Sequence, residues 1–211
     1  ESKTKAQAMI MAGQGFVEGK IVNKRGFNIK SNVEIKIKNL GPKWVSRGAN
    51  KLLTALEKNK VIVKNKICID LGSSTGGFTD VLIQSGAHKV YAVDVGTNQL
   101  HEKLKKNNKV ISFEKTNARY LEKDQFKELI DIMVCDVSFI SLKKVIEPNL
   151  HLLKDESFII ALIKPQFESK KNETKKGVVR DIIVHQRICN EISEWFETIG
   201  HSKVLSINES P

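Results

Sequence analysis

Cysteine is scarce: Cys68, Cys135 and Cys189 are the only three in 211 residues, and no two form a Cys-x-x-Cys pair. All three fall in apolar contexts, which reads as reduced, buried core residues and excludes a disulfide framework. Metal-type spacing is also missing. The five histidines (88, 101, 151, 185 and 201) are scattered, so no metal site is predicted. Nothing resembles a signal peptide. The longest apolar runs, such as Phe158 to Ile163, are of strand length and far too short to span a bilayer. These absences predict a cytoplasmic chain with a membrane role disfavoured.

What is present is a positive charge excess. Lys and Arg outnumber Asp and Glu by 35 to 24, giving a net charge of +11 and a pI near 9.5. Such a surplus favours a polyanionic partner, either nucleic acid or an acidic membrane surface. Apolar residues make up 40% of the chain, enough for a packed core. The length allows one medium domain plus a small one.

The stretch Asp70-Leu-Gly-Ser-Ser-Thr-Gly-Gly-Phe78 follows the apolar run Ile67-Cys68-Ile69 and precedes a helical run from Thr79 to Ser85. Strand, glycine loop and helix in this order suit a nucleotide-like ligand. The glycines permit a sharp turn and close approach, and the helix start offers free N–H groups with a partial positive charge. The spacing G-x-x-x-G-G is not the dinucleotide fingerprint, and the loop lacks the lysine of a phosphate loop, which argues against phosphate binding. Cofactor-binding candidates here are Asp70, Gly72, Ser73, Ser74, Gly76, Gly77 and Phe78. A tight turn without a ligand is the competing interpretation.

From residue 66 onward, apolar runs alternate with helical segments. Strands are predicted at Ile67–Leu71, Val90–Val93, Val110–Phe113, Ile132–Cys135, Phe158–Ile163 and Val204–Ile207. Helices are predicted near 79–86, 100–107, 121–129, 141–153 and 182–199, with Pro148 kinking or splitting the fourth. In the last, Ile188, Ile192, Trp195, Phe196 and Ile199 share a face, Asp181 caps the start and Gly200 follows the end. The alternation predicts an α/β domain with a mostly parallel sheet covered on both faces.

Ligands in such sheets bind beyond the carboxyl ends of the strands. That rule selects Asp94, Asn117, Asp136 and Lys164. Asp94, about 20 residues past the glycine loop, suits a ribose diol, of NAD or S-adenosylmethionine equally; a helix cap is the plainer alternative. Pro165 holds Lys164 extended. Asp136 with Lys164 fits a structural ion pair as well as a catalytic one. As chemistry, Lys164 beside a second cation, Lys51, and oriented by Asp136, is a set that could deprotonate a sugar hydroxyl for in-line attack on a sulfonium methyl. For Lys51 a solvated surface position is the bland alternative.

The N-terminal region is small and basic. Lys3 to Ala12 has helical spacing and ends at Gly13. Phe16-Val17 and Ile21-Val22 flank Glu18-Gly19 as a hairpin, and Val33, Ile35 and Ile37 alternate with Glu34, Lys36 and Lys38 as a strand. Gly41-Pro42 marks the boundary between domains 1–42 and 43–211. Lys3, Lys5, Lys20, Lys24 and Arg25 suit phosphate docking or a merely solvated surface. At the junction, Leu52, Leu53 and Leu56 set a short helix with Lys51 in its first turn, where a cation opposes the helix dipole.

Two resemblances attach to these residues. The run Thr4-Lys-Ala-Gln-Ala-Met-Ile-Met-Ala-Gly-Gln-Gly-Phe-Val-Glu-Gly-Lys20 resembles the S4 RNA-binding domain. The blocks Val45–Gly48, Asp70–Thr79, Ala92–Val95, Cys135–Leu142, Leu162–Glu168 and Lys176–Asp181, in this order, resemble the TlyA (hemolysin A) family of S4-plus-FtsJ-type ribosomal RNA 2′-O-methyltransferases. The resemblance implies a Rossmann-like methyltransferase domain with a small, truncated S4-like α+β domain before it. It implies S-adenosylmethionine as cofactor, cytidine 2′-hydroxyls as acceptors, and ribosomal RNA or ribosomal subunits as partner. Lys51, Asp136 and Lys164 match three members of the family's Lys-Asp-Lys-Glu catalytic set.

Arg47, Lys170, Lys171, Lys175 and Lys176 join the N-terminal cations as RNA-binding candidates. The opening S4 helix would lie before residue 1, and the fourth catalytic residue and last strand beyond Pro211. Glu209 precedes the Ser210-Pro211 dipeptide, whereas the family's glutamate follows it, so Glu209 takes no role. Competing functions are a membrane-active haemolysin, a non-catalytic RNA-binding module and an NAD-dependent oxidoreductase.

Overall fold

A computed structural model describes residues 3–11, 13–37, 44–199 and 202–211. The chain divides into two compact units, Glu1–Lys43 and Trp44–Pro211. In the first, helix α1 (Lys3–Met11) leads into strands β1 (Gly15–Val17), β2 (Lys20–Val22) and β3 (Ile35–Ile37). They form an antiparallel sheet in the order β2-β1-β3. Glu18 and Gly19 both carry positive φ (48° and 77°), the twist that a two-residue hairpin turn requires. Ala12, Lys38 and the Gly41-Pro42 boundary lie outside the described residues.

The second unit contains α2 (Ala49–Lys58), β4 (Ile67–Leu71), α3 (Gly77–Gln84), β5 (Lys89–Val93), α4 (Glu102–Lys105) and β6 (Val110–Phe113). There follow β7 (Ile130–Cys135), α5 (Lys143–Ile146), β8 (Leu153–Ala161), α6 (Pro165–Glu168) and α7 (Ile182–Thr198). The five strands β4 to β8 are parallel, in the order β6-β5-β4-β7-β8. The chain runs outward from β4 to β6, then crosses to the other side of β4 with β7. The switch point therefore lies between β4 and β7, where ligands bind in open α/β sheets.

Alternation along the strands assigns the two faces. Ile69, Leu71, Tyr91, Val93, Met133 and Cys135 face one way, packed with Val145, Ile146 and the Trp195-Phe196 pair of α7. Cys68, Val90, Ile132 and Val134 face the other way, against Leu52 and Leu56 of α2 and Phe78, Val81 and Leu82 of α3. β7 is buried along its whole length, as a central parallel strand should be. On α7, Ile188 and Ile192 are buried and the Asp181 side chain accepts the Ile183 N–H at 2.8 Å. Gly200 lies outside the described residues.

Several expected elements differ. The segment 121–129 contains only a 3₁₀ turn at Lys123–Gln125, closed by Glu122 and Gln125 capping each other. The helix expected over 141–153 is α5 followed by a 3₁₀ stretch at Glu147–Leu152; Pro148 lacks the N–H and crowds the preceding turn. β8 starts at Leu153, ahead of Phe158. Its opening residues Lys154, Asp155 and Glu156 are exposed on an edge strand, and Lys154 reaches Asp131 at 2.8 Å. Val204–Ile207 is not a strand: residues 202–211 have no regular structure, and Ser206 Oγ instead donates to Asn59 Oδ1 at 2.6 Å. Among the described residues, no helix is long and apolar enough to cross a membrane.

Candidate active site

The carboxyl end of β4 runs into the glycine loop. Gly72 N–H and Ser73 N–H both donate to the Val93 carbonyl of β5, at 2.9 and 3.1 Å. Gly72 has φ of +84°, and a Cβ there would stand 3.0 Å from the Asp136 carbonyl oxygen. Only a residue without a side chain lets the loop lie against the end of β7. Gly76, with φ of +93°, starts α3, and a Cβ on it would collide with Leu100 and Leu104. Gly77 is pressed against Ser46 Oγ and lies 3.2 Å, measured to its missing Cβ, from Ala49 N. The segment before α2 thus closes over the start of α3.

A cavity of about 210 Å³ opens here, lined by Ser46, Gly48, Gly72, Ser73, Ser74, Thr75, Gly77, Phe78, Asp136, Ser138 and Lys164. It brings together five of the predicted cofactor residues, Gly72, Ser73, Ser74, Gly77 and Phe78, with the predicted pair Asp136 and Lys164. Lys51, Asp70, Gly76, Asp94 and Asn117 are not among its lining. Lys51 stands in the first turn of α2, its N–H bonded to the Gly48 carbonyl at 3.0 Å. Asn117 caps a 3₁₀ turn, accepting Arg119 N–H at 3.1 Å.

Three strand ends supply carboxylates. Asp94, after β5, accepts Ser74 N–H at 2.8 Å and Gly96 N–H at 2.7 Å, one on each oxygen. It is tied to the glycine loop while still partly exposed. Asp70 is fully buried on β4 and accepts the Thr79 hydroxyl at 2.6 Å, while its Oδ1 has no partner. Burial pushes its carboxyl up to about 7, with Asp136 and Asp94 adding like-charge repulsion against the Thr79 hydrogen bonds. Burial likewise pushes the Cys68 and Cys135 thiols up to about 12, so the thiolate needed for reaction is suppressed.

Asp136 follows β7, and Lys164 follows β8 with extended φ and ψ of −115° and 98°. Lys164 Nζ stands 2.7 Å from Asp136 Oδ1, at an angle outside hydrogen-bonding geometry. Its hydrogen bonds go to Ser138 Oγ at 2.8 Å and the Asp136 carbonyl at 3.4 Å. The Lys164 side chain is 18% exposed, so the pair lies at the cavity wall and is largely screened from bulk water. Next to it Phe139 is 90% exposed with φ of +64°, an uncommon conformation for a bulky residue. Its ring lies 5.1 Å from that of Phe167.

Ser46, Gly48, Thr75, Ser138 and Phe139 fall inside the blocks that carry the family resemblance but are not among the predicted site residues. Ser138 had a readable signal, since it follows a strand-end aspartate by two residues. Ser46 and Gly48 had only their place in the Val45–Gly48 block, because the approach of Ser46 to Gly77 depends on how the segment before α2 packs on α3. Of the expected RNA-contacting cations, Lys3, Lys20, Arg25, Arg47, Lys170, Lys175 and Lys176 are exposed, with Arg25 Nε 2.9 Å from Met11 Sδ. The side chains of Lys5 and Lys171 lie outside the described residues. Lys175 and Lys176 sit on a turn closed by the Lys175–Val178 bridge. Among the described residues, no group of three or more His, Cys, Asp or Glu could hold a metal ion.

The site fits S-adenosylmethionine, which carries positive charge at its sulfonium and ammonium groups. Bare glycine backbone leaves room for it, with Asp136 on the cavity wall and Asp94 bonded to the N–H of the lining residue Ser74 as carboxylate acceptors. Comparison with known proteins agrees. A family model described as FtsJ-like methyltransferase matches residues 44–209. Hemolysin A of Brachyspira hyodysenteriae is 44% identical over 97% of this chain and 85% of its own length. The 16S/23S rRNA (cytidine-2′-O)-methyltransferase TlyA of Mycobacterium tuberculosis is 34% identical over 100% of this chain and 79% of its own. A solved candidate hemolysin from Streptococcus thermophilus superposes with a TM-score of 0.72 at 39% identity, covering 92% of this chain and 72% of that one.

Proposed function

Because this chain belongs to the FtsJ-like methyltransferase family, we propose that it methylates the 2′-oxygen of a cytidine ribose in ribosomal RNA. The observation that carries this reading is the Lys164–Asp136 pair, 2.7 Å apart, at the wall of the glycine-lined cavity. When bound, S-adenosylmethionine supplies an electrophilic sulfonium methyl group. Asp94, already aligned by the Ser74 and Gly96 N–H groups, accepts from the cofactor's ribose hydroxyls. The loop 72–78 holds the methionine end, and Asn117 meets the adenine end.

Lys164 would take the proton from the acceptor 2′-hydroxyl as that oxygen bonds the methyl carbon in line and the carbon–sulfur bond breaks to leave a neutral thioether, and the protonated lysine would rest on Asp136. General base catalysis by a positioned side chain contributes about 10²–10⁴-fold. Lys51, the remaining member of the set matched by the family resemblance, is assigned to the acceptor side as a positive charge. No metal takes part in this scheme. Phe139 offers an exposed ring for the face of an unstacked base, the usual way a protein holds single-stranded RNA.

The partner is ribosomal RNA, alone or within a subunit. Residues 1–42 are read as the S4-like part, with Lys3, Lys5, Lys20 and Arg25 on phosphates; Arg47, Lys170, Lys171, Lys175 and Lys176 do the same on domain 43–211. The relatives of the hemolysin name are accommodated without lysis, since RNA chemistry accounts for the cavity residues.

Replacing Lys164 with alanine is expected to abolish methyl incorporation into ribosomal subunits. S-adenosylmethionine affinity, measured by calorimetry, is expected to stay within a few-fold of the wild type, since the glycine loop and Asp94 are untouched. Near-normal turnover in that variant removes Lys164 as the base. Titration with NAD in place of S-adenosylmethionine separates the oxidoreductase alternative.

A further inference from the structure

Lysine carries its charge on a flexible four-carbon stem. A nearby carboxylate attracts the ammonium but does not fix where its hydrogens and lone pair point. Around Lys164 Nζ, the Asp136 Oδ1 contact lies outside hydrogen-bonding geometry and the Asp136 carbonyl is 3.4 Å away. The short directed bond is the one to Ser138 Oγ, at 2.8 Å. Ser138 also lines the cavity. Its hydroxyl is therefore the group that sets which way the amine faces the acceptor.

Ser138 sits on irregular backbone, directly before Phe139 with its left-handed φ of +64°. Such a conformation persists only where the surroundings enforce it. Glu168 supplies the enforcement: its Oε2 accepts the Ser141 hydroxyl at 2.6 Å and its Oε1 accepts Leu142 N–H at 2.7 Å. Glu168 ends α6, the short helix that begins immediately after Lys164. The Phe139–Phe167 ring contact is a second tie between the same two segments. Leu142, buried, closes the far end of the loop. The lysine and its hydroxyl partner are thus mounted on one cross-braced unit, loop 138–142 against α6.

We propose that Ser138 and Glu168 are positioning residues for Lys164, Ser138 by directing Nζ and Glu168 by fastening the loop that carries Ser138. The proposal rests on the methyl-transfer reading above. It requires no covalent role for either residue, and the proton still moves from the acceptor hydroxyl to Nζ.

The test is single-turnover methyl transfer into ribosomal subunits by the protein and its Ser138→Ala, Ser138→Thr and Glu168→Ala variants, with S-adenosylmethionine affinity and the unfolding midpoint measured alongside. Misplacement of a reacting group by about 1 Å costs on the order of 100-fold. Ser138→Ala is therefore expected to lose about 10- to 100-fold in rate, with cofactor affinity and midpoint unchanged. Ser138→Thr keeps the hydroxyl and is expected to restore the rate. Glu168→Ala is expected to reproduce the Ser138→Ala loss; if it fails to fold, the alanine–threonine pair at 138 still decides. Wild-type rate in Ser138→Ala overturns the proposal, and so does a loss that threonine does not restore. A wild-type protein that binds the cofactor but transfers no methyl overturns the functional reading itself.

Discussion

At the scale of the residue, Asp70 illustrates how a site can store a proton. Its carboxyl ordinarily ionises near 3.8, and burial in the fold raises this to about 7. Between those values the folded protein holds a proton that the unfolded chain has released. The contribution of Asp70 to stability is therefore fully present below about pH 4 and is lost as pH rises through about 7. Asp70→Asn removes the titration while keeping an acceptor for the Thr79 hydroxyl. Urea unfolding of both forms at pH 5 and pH 8 is expected to show the wild type losing ground to Asp70→Asn at the higher pH. Parallel behaviour of the two forms is the contrary result. Asp70 itself was legible, because a strand-end acid before a glycine loop is a local pattern. Its orphaned Oδ1 was not, because that depends on what α3 and β7 bring against it.

At the scale of the element, the junction segment and α3 act as one piece. Asp80, buried in the first turn of α3, accepts Val45 N–H at 3.0 Å, Gln84 Nε2 at 2.9 Å and Lys103 Nζ at 3.2 Å. It secures the residues that lead into α2 and Lys51. Asp80→Ala leaves the Val45 N–H without its partner, a cost of about 1–3 kcal/mol. A lower midpoint in thermal unfolding checks this, and an unchanged midpoint would mean that water replaces the carboxylate there.

Elements were legible where one face had a strict period. Ile188, Ile192, Trp195 and Phe196 gave α7 this way, and the apolar runs gave β4, β5, β6 and β7. They were illegible where tertiary partners decide. Residues 121–129 carry helix formers but end as a single turn. β8 begins among charged residues: Lys154 is tied to Asp131, and Lys154, Asp155 and Glu156 lie in the irregularity between the Ile130–Leu153 and Ile132–Phe158 pairings. Val204–Ile207 has strand composition, yet no neighbouring strand pairs with it among the described residues.

At the scale of the whole molecule, the net charge of +11 makes the proposed RNA binding a salt-dependent event. Each phosphate neutralised by a cation contributes about −0.7 to −0.9 to the slope of log affinity against log salt. Replacing Lys175 and Lys176, exposed on their turn, with alanine is expected to flatten that slope by about 0.7 to 1 for each lysine that meets a phosphate. Filter binding to ribosomal RNA between low and moderate salt measures it. A slope unchanged in the double variant excludes this turn from the interface.

The strand order has one more consequence, in time rather than in space. β4 pairs on one edge with β5, its near neighbour in sequence, and on the other with the more distant β7, and Ile67 N–H bonds Asp131 across a separation of 64 residues. Long loops must close before such pairings are rewarded, which slows folding. During synthesis the glycine loop emerges well before β8 and the Lys164 that follows it. A nascent chain therefore holds the sequence of its cofactor cradle well before it has anything to catalyse with.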